Sequence, residues 1–358
     1  KRAEDFRGVE AQLRALERGD GEGTLTFADG ATLHVSSLSK PYFPEPGITK
    51  GALMRYYTRV APYLLPEIAG RALVLKRYPD GVAGPMFFQQ NAGEHVPDVV
   101  RVATLDTVEL GAKPRIVGGD LATLLYTVQL GAIEVHPWLS RIEDVDAPDR
   151  CLIDLDPGDD VPFGDVAALA REVVRIAEAC GLTVAVKTSG ASGIHIVLPL
   201  PPRTSYETSA ALALQLAEAV VAANPDAATV ERGVKARPKK SIYVDALQNA
   251  RGKSMAAPYS VRARPAASVS APLRLRDLTS RLRIDAFTVG TMPARMTRVG
   301  DLWGDAIATR PTARTLARAL AALQHASSAS PPRRGRSGRR RAGGHHAGPA
   351  TGRQAKSS

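Results

Sequence analysis

Three carboxylates and one Ser/Gly turn carry the chemistry that can be read from this sequence. Cys151-Leu-Ile-Asp-Leu-Asp-Pro157 is an apolar strand pattern ending in two acids. Side chains two apart on a strand project the same way, so Asp154 and Asp156 leave it together, and Pro157 stops it. Adjacent carboxylates repel unless something positive neutralises them, which divalent cations do with oxygen ligands. A pair of solvated strand-end acids at a turn fits D-x-D equally well. Ser241-Ile-Tyr-Val-Asp-Ala246 sets Asp245 at the end of a second apolar run. A third carboxylate on a neighbouring strand would complete a two-metal site. Such sites hold cations about 4 Å apart and stabilise the attacking and leaving oxygens of a phosphoryl displacement. Taken by itself, Asp245 is an ordinary strand-end acid.

Residues 183–199 read as strand, tight turn, strand. Gly190 and Gly193 allow positive φ and close approach of the backbone. Successive amides in such a turn form an anion nest. Ser189 and Ser192 add hydroxyl donors, and His195 can donate to a phosphate oxygen. A plain hairpin with a surface histidine is the bland alternative. Two serines, two glycines and a histidine within seven residues favour the functional one.

The elements that must position these groups follow from periodicity and caps. Thr49 caps a helix with Leu53, Tyr57, Val60 and Leu64 on one face. Asp120 opens another, ended by Gly131. A third runs from Asp165 to Cys180 with Gly181 after it. Thr204 and Glu207 form a capping-box pattern before an Ala/Leu-rich run to Ala223. A last helix spans about 312–324. Strands are expected at 72–76, 86–89, 99–103, 132–136, 151–156, 183–188, 194–200 and 241–246. Strands and helices mix without strict alternation, which predicts an α+β body with mixed sheets over a regular doubly wound sheet.

The chain has 358 residues, 44% hydrophobic, with 47 Lys+Arg against 36 Asp+Glu, a net of +11. That composition supplies a globular core and excludes a wholly disordered chain. No run of about 18 apolar residues predicts a membrane span, and no secretory signal opens the chain. It begins at Lys1, which fits a trimmed start. Two cysteines in apolar contexts, Cys151 and Cys180, make no disulfide framework and point to a reducing cytoplasm. The positive charge is uneven. From Ala326 to Ser358 there are eight Lys+Arg and no acid, leaving 39 basic and 36 acidic residues in the rest, a net of +3. The expected organisation is an N-terminal helical/β extension over 1–35, a catalytic body over 36–325 and a disordered basic tail over 326–358.

In order, D-L-D-P, S-G-x-S-G-x-H and V-D-x-x-Q-N-x-R-G-K resemble the polymerase module of bacterial DNA ligase D, a branch of the archaeo-eukaryotic primase superfamily. The resemblance spans roughly 38 to 303. It implies a primase-polymerase fold with the acids on a central sheet. It also implies a nucleotidyltransferase that adds nucleotides, ribonucleotides by preference, at DNA ends and short gaps in non-homologous end joining. Asp154, Asp156 and Asp245 would hold two divalent cations, manganese or magnesium. An incoming NTP or dNTP would meet Lys76, His136, Ser189, Ser192, His195, Gln248 and Arg262. Lys40 and Lys50 would take the 5′-phosphate across a gap. Arg77, Phe87 and Phe88 would lie along the template, where aromatic faces stack on bases without sequence choice. A lone strand usually turns one Phe of such a pair into the core.

The partners implied are gapped DNA, a Ku-like end binder and an ATP-dependent ligase, in a bacterial, nucleoid-associated, cytoplasmic setting with no membrane. The sequence departs from the family at Lys235-Ala-Arg-Pro-Lys-Lys240, where an Arg-Gly-Lys approach to the third Asp is common. The basic residue serving the nucleotide there stays open. The nucleotidyl-lysine motif K-x-D-G of the ligase and a His-rich phosphoesterase module are missing, which fits a stand-alone or excised polymerase module. Three alternatives stay open: a primase starting chains de novo, a metal-dependent nuclease or phosphohydrolase using the same acids, and a non-catalytic end binder.

Overall fold

The computed structural model describes residues 5–107 and 111–328; most of the Arg-rich segment expected as a tail lies outside them. Eight α-helices are found among the described residues: α1 (Phe6–Arg18), α2 (Lys50–Ile68), α3 (Leu121–Gln129), α4 (Phe163–Ala179), α5 (Tyr206–Ala223), α6 (Met292–Val299), α7 (Leu302–Ala308) and α8 (Ala313–Ser328). The fold is mixed α+β, as the pattern predicts.

Caps set the helix starts. The Thr49 hydroxyl accepts from the Ala52 amide at 3.1 Å, and the Asp120 carboxylate from the Thr123 amide at 2.7 Å. Two starts differ from expectation. Helix α4 begins at Phe163, after Pro162, which is extended through its ψ of 139°; no side chain caps the helix there. Helix α5 is capped by Ser205, whose Oγ accepts from Thr208, while the Thr204 hydroxyl turns back to the Pro201 carbonyl. Either residue can cap; the hydroxyl that faces the free amides wins.

A six-stranded sheet forms the centre. Its order is Ala228–Thr229, Ile242–Asp245, Arg150–Pro157, Ile194–Pro199, Ala185–Thr188, Pro272–Leu273, antiparallel except for the first pair. A second, three-stranded sheet orders Phe87–Gln89, Leu73–Arg77, Ala132–Pro137. The run expected at 99–103 pairs later, as Val102–Thr107 against Gly111–Ile116. Pro97 and the turn closed by Val100 N to Pro97 O hold residues 99–101 out of the ladder.

Along Arg150–Pro157, alternate residues take opposite faces. Cys151, Ile153 and Leu155 are fully buried, and the Cys151 thiol reaches the Ser209 carbonyl of α5. Asp154 and Asp156 therefore lie on the face away from α5. One apolar cluster runs from Val9 and Leu13 of α1 through this sheet to Leu316 and Leu323 of α8. A hairpin pairing Gly23–Thr26 with Thr32–Val35 adds Leu25, Leu33 and Val35 to it.

The acid-bearing strand is tied to α2 by charge. Glu67 of α2 pairs with buried Arg150 and accepts the Trp303 indole N–H at 2.8 Å. Arg71 donates twice to Asp149, at 2.5 and 2.6 Å. Removing one partner of a buried pair leaves an uncompensated charge. Glu67→Ala is expected to lower unfolding stability by about 3 kcal/mol or more. Glu67→Gln, which keeps an acceptor for Trp303, should cost less. Chemical denaturation of the two variants measures the difference.

Candidate active site

Strand register builds a row of side chains across the central sheet. Asp245 pairs with Asp154, Asp154 with His195, and His195 with Lys187. Directly opposed residues share a face. The row thus reads acid, acid, imidazole, ammonium. Asp156 joins the same face one step along, opposite Tyr243. The three predicted acids come together on one face, from two strands far apart in sequence.

Burial and repulsion load this face. Burial raises the pKa of Asp154 well above the usual carboxylate range, and the charges of Asp156 and Asp245 push it further. Asp156 is raised by burial and by Asp245. The His195 Nε2 atom lies 3.4 Å from Asp154 Oδ1, but that oxygen is buried and has no hydrogen-bond partner. Asp245 is better satisfied. It accepts from the Leu247 amide at 2.7 Å and from the Gln248 side chain at 3.1 Å. As the side chains stand, no three acid, imidazole or thiol groups among the described residues converge tightly enough to enclose a metal ion. The donor set nevertheless suits one. All three groups are hard oxygen donors, two repel each other, and one carries an orphaned oxygen.

The Ser/Gly turn is built differently from the expected nest. Gly190 has φ +72°, and a Cβ there would meet Arg262 Cγ at 2.6 Å. Gly193 needs no positive φ. Its role is close approach, since a Cβ would sit 2.1 Å from the Leu155 carbonyl oxygen. The Ser189 hydroxyl accepts from the amides of Ala191 and Gly193 at 3.1 and 3.0 Å. Two of the amides expected to cradle an anion are therefore spent inside the turn. Ser189 is buried and Ser192 exposed. His195 is buried as well, so it is no surface histidine. Its free edge faces Asp154.

A second cluster centres on Glu134, which the sequence reading passed over. Glu134 is 2% exposed. It accepts from His136 Nε2 at 2.9 Å, Arg262 Nε at 2.9 Å, Lys76 Nζ at 3.3 Å and the Ala263 amide at 3.1 Å. Burial alone would raise its pKa. The His136 hydrogen bond and the Arg262 charge outweigh that and hold it well below the usual range. His136 is pushed down by burial, so the ring is neutral and donates. Lys76, His136 and Arg262, three of the residues expected at the nucleotide, are thus gathered by one carboxylate. Arg262 also donates to the Ser189 carbonyl, tying this cluster to the turn.

Of the other expected contacts, Phe88 stands opposite Lys76 in register, beside the Glu134 cluster. Phe87 and Phe88 are 45% and 58% exposed. Neither enters the core; Phe87–Gln89 is an edge strand. The Arg77 guanidinium stacks 4.9 Å over Phe87 and donates to Gln89. Lys40 pairs with Asp80 at 2.7 Å. Lys50 is buried and donates to the Ser36 carbonyl at 2.9 Å; burial lowers its pKa to about 8, and Lys40 adds to the effect. The Lys50 amide bonds the Lys40 carbonyl, so the two lysines share one place.

Sequence reasoning missed Glu134 and Lys187 and left open which basic residue of 235–240 serves the site. Arg237 stacks 3.9 Å over Tyr243, and its charge acts on Asp156. Within 235–240, it is thus a basic residue that reaches the acids. Glu134 was visible two residues before His136 on one strand, and Lys187 on the strand leading into the turn. Period-two alternation places each on a site face, but only register shows which face.

Comparison with known proteins adds an independent line. A family model described as LigD, primase-polymerase domain, matches residues 49–303. The bifunctional non-homologous end joining protein LigD of Bacillus subtilis (strain 168) is 34% identical over 269 residues, covering 75% of this chain and 43% of that protein. The multifunctional LigD of Pseudomonas aeruginosa is 29% identical over 283 residues, 78% of this chain and 33% of that one. The chain thus spans less than half the length of these relatives. The polymerase domain of Mycobacterium tuberculosis ligase D, solved in complex with DNA, superposes with TM-score 0.72 at 29% identity, covering 78% of this chain and 99% of that one.

The crowded acids predict a trade between stability and function. Asp154→Asn keeps the shape and removes one repelling charge. In metal-free buffer it is expected to raise Tm by about 2 °C or more. A differential scanning measurement in chelator checks the direction; a fall in Tm would mean that the carboxylates do not repel in the free protein.

Proposed function

Because the chain belongs to the LigD primase-polymerase domain family, we propose that it catalyses template-directed nucleotidyl transfer at DNA ends and short gaps, as a step of non-homologous end joining. One observation carries the reading. Asp154, Asp156 and Asp245 share a sheet face, with a buried carboxylate oxygen of Asp154 left without a partner.

Asp154, Asp156 and Asp245 would hold two divalent cations in this proposal, manganese by family resemblance or magnesium. Cations held there would supply Lewis-acid activation of a primer 3′-hydroxyl and offset charge on the triphosphate. The protein's own groups do the rest. Glu134 keeps Arg262, His136 and Lys76 oriented toward the nucleotide before it arrives, so little reorganisation remains. The guanidinium fork of Arg262 suits phosphate oxygens. His195 presents Nε2 beside Asp154, and Gln248 steadies Asp245. Ser192, exposed on the turn, is placed to donate to a phosphate, while Ser189 shapes the turn from within. Exposed Phe87 and Phe88, with Arg77 stacked behind, offer a surface for template bases.

Lys40 and Lys50 divide the work at a 5′-phosphate. Half-buried Lys40 exchanges Asp80 for the phosphate, and buried Lys50 supports it from beneath. A Ku-like end binder and an ATP-dependent ligase are the partners such a role requires, and a bacterial nucleoid its place. Among the described residues, no helix is long and apolar enough to cross a membrane.

The decisive assay is extension on a 5′-phosphorylated gapped duplex, with ribo- and deoxynucleotides in manganese or magnesium. Wild type is expected to add nucleotides, ribonucleotides preferentially. Asp154→Ala is expected to lose at least about 1,000-fold in rate while still binding DNA. Strand loss without extension would assign the acids to hydrolysis instead. Synthesis on a template without a primer would assign a primase.

The gap phosphate gives a pH prediction. Lys50 is protonated below about 8 and loses its charge as pH rises through that value. The preference for 5′-phosphate over 5′-hydroxyl ends should therefore shrink from pH 7 to pH 9. Lys50→Met should have a smaller preference that is flatter with pH. Fluorescence anisotropy with the two end types measures both.

A further inference from the structure

Lys187 is a buried lysine to which the proposed chemistry gives no task. Its side chain is fully buried on Ala185–Thr188, beside the acids. The Nζ atom lies 2.6 Å from His195 Nδ1 and donates to Ser270 Oγ at 2.8 Å. Ser270 Oγ in turn donates to the Thr188 carbonyl at 2.9 Å, so its lone pairs face the ammonium. Burying an ammonium is expensive, and the apolar alternative at such a position is often neutral or better for stability. A residue kept at that cost has a role that packing alone does not explain.

We propose that Lys187 is a positioning residue of the nucleotide site: it holds the His195 ring by Nδ1 and so presents the Nε2 edge to Asp154 and to phosphates bound over it. This rests on the reading of His195 as a nucleotide contact. The physical basis is donor count. Nζ gives one proton to Ser270 Oγ and has another for Nδ1; once Nδ1 accepts it, the proton of a neutral ring sits on Nε2. The arrangement parallels the way partners behind a site's ligands fix their orientation, where loss typically costs about 10- to 100-fold in activity or affinity. Register makes it possible, since Lys187 faces His195 and His195 faces Asp154 on three adjacent strands.

Two measurements test it. The first is a double-mutant cycle on gap filling. Lys187→Met keeps the stem and removes the donor, and should lower kcat/KM for the nucleotide about 10- to 100-fold. In a His195→Ala background the same change should cost no more than about 3-fold. Equal losses in both backgrounds would overturn the proposal. The second uses the wild-type protein alone, free of metal, with 15N-labelled histidine. The His195 ring, assigned by its loss in His195→Ala, is expected to carry its proton on Nε2 with Nδ1 as a hydrogen-bonded acceptor. A proton on Nδ1, in a neutral ring or an imidazolium, overturns the proposal even if Lys187→Met fails to fold. Failure of wild type to extend any primer would instead count against the polymerase reading, and the ring measurement would still decide the role of Lys187.

Discussion

Strand register across the central sheet is the constraint on which everything else depends. Side chains opposite one another on neighbouring strands cannot escape each other without breaking the ladder. Register therefore holds Asp245 against Asp154 although both are acids, and holds His195 and Lys187 in line behind them. A surface loop would relieve that repulsion by moving. The sheet does not allow it, because a one-residue slip would turn Cys151, Ile153 and Leu155 out of the core. The apolar face of the strand thus enforces the electrostatic crowding on its other face.

The second sheet completes the arrangement through a single guanidinium. Arg262 touches Glu134 on one sheet and the Ser189 carbonyl at the turn of the other. Its charge also bears on Asp154, Asp156, Lys187 and His195. The cationic and anionic halves of the site are thereby set before any substrate arrives. Glu134 prevents the cations from repelling one another apart, much as a bound cation would do for the acids.

Much of this was legible in the sequence, and the gaps have physical causes. The acid-bearing strand, its neighbour ending in Asp245 and the return strand with His195 each follow from short apolar runs, and their ends fall within a residue or two. Alternation alone predicted that Asp154 and Asp156 share a face. Which strand lies beside which is a long-range property, and hence Glu134 and Lys187 went unseen and the choice within 235–240 stayed open. The turn shows a second limit. Glycine and serine spacing located it, but a serine hydroxyl can serve a ligand or its own backbone, and Ser189 serves the backbone. Lys40 and Lys50 were read as a matched pair, yet one is half-buried and the other buried, a difference set by the packing of α2 rather than by residue type.

The link from Glu134 to Arg262 joins residues 128 positions apart in the chain. Such a pairing is reached only after a long loop has closed, which makes it slow relative to local structure. During synthesis, Glu134 emerges well before its guanidinium exists. Until residue 262 follows, Glu134 has no guanidinium to hold, and the bridge from its sheet to the turn at Ser189 does not exist. A chain that has been cut between the two residues and come apart has lost that bridge.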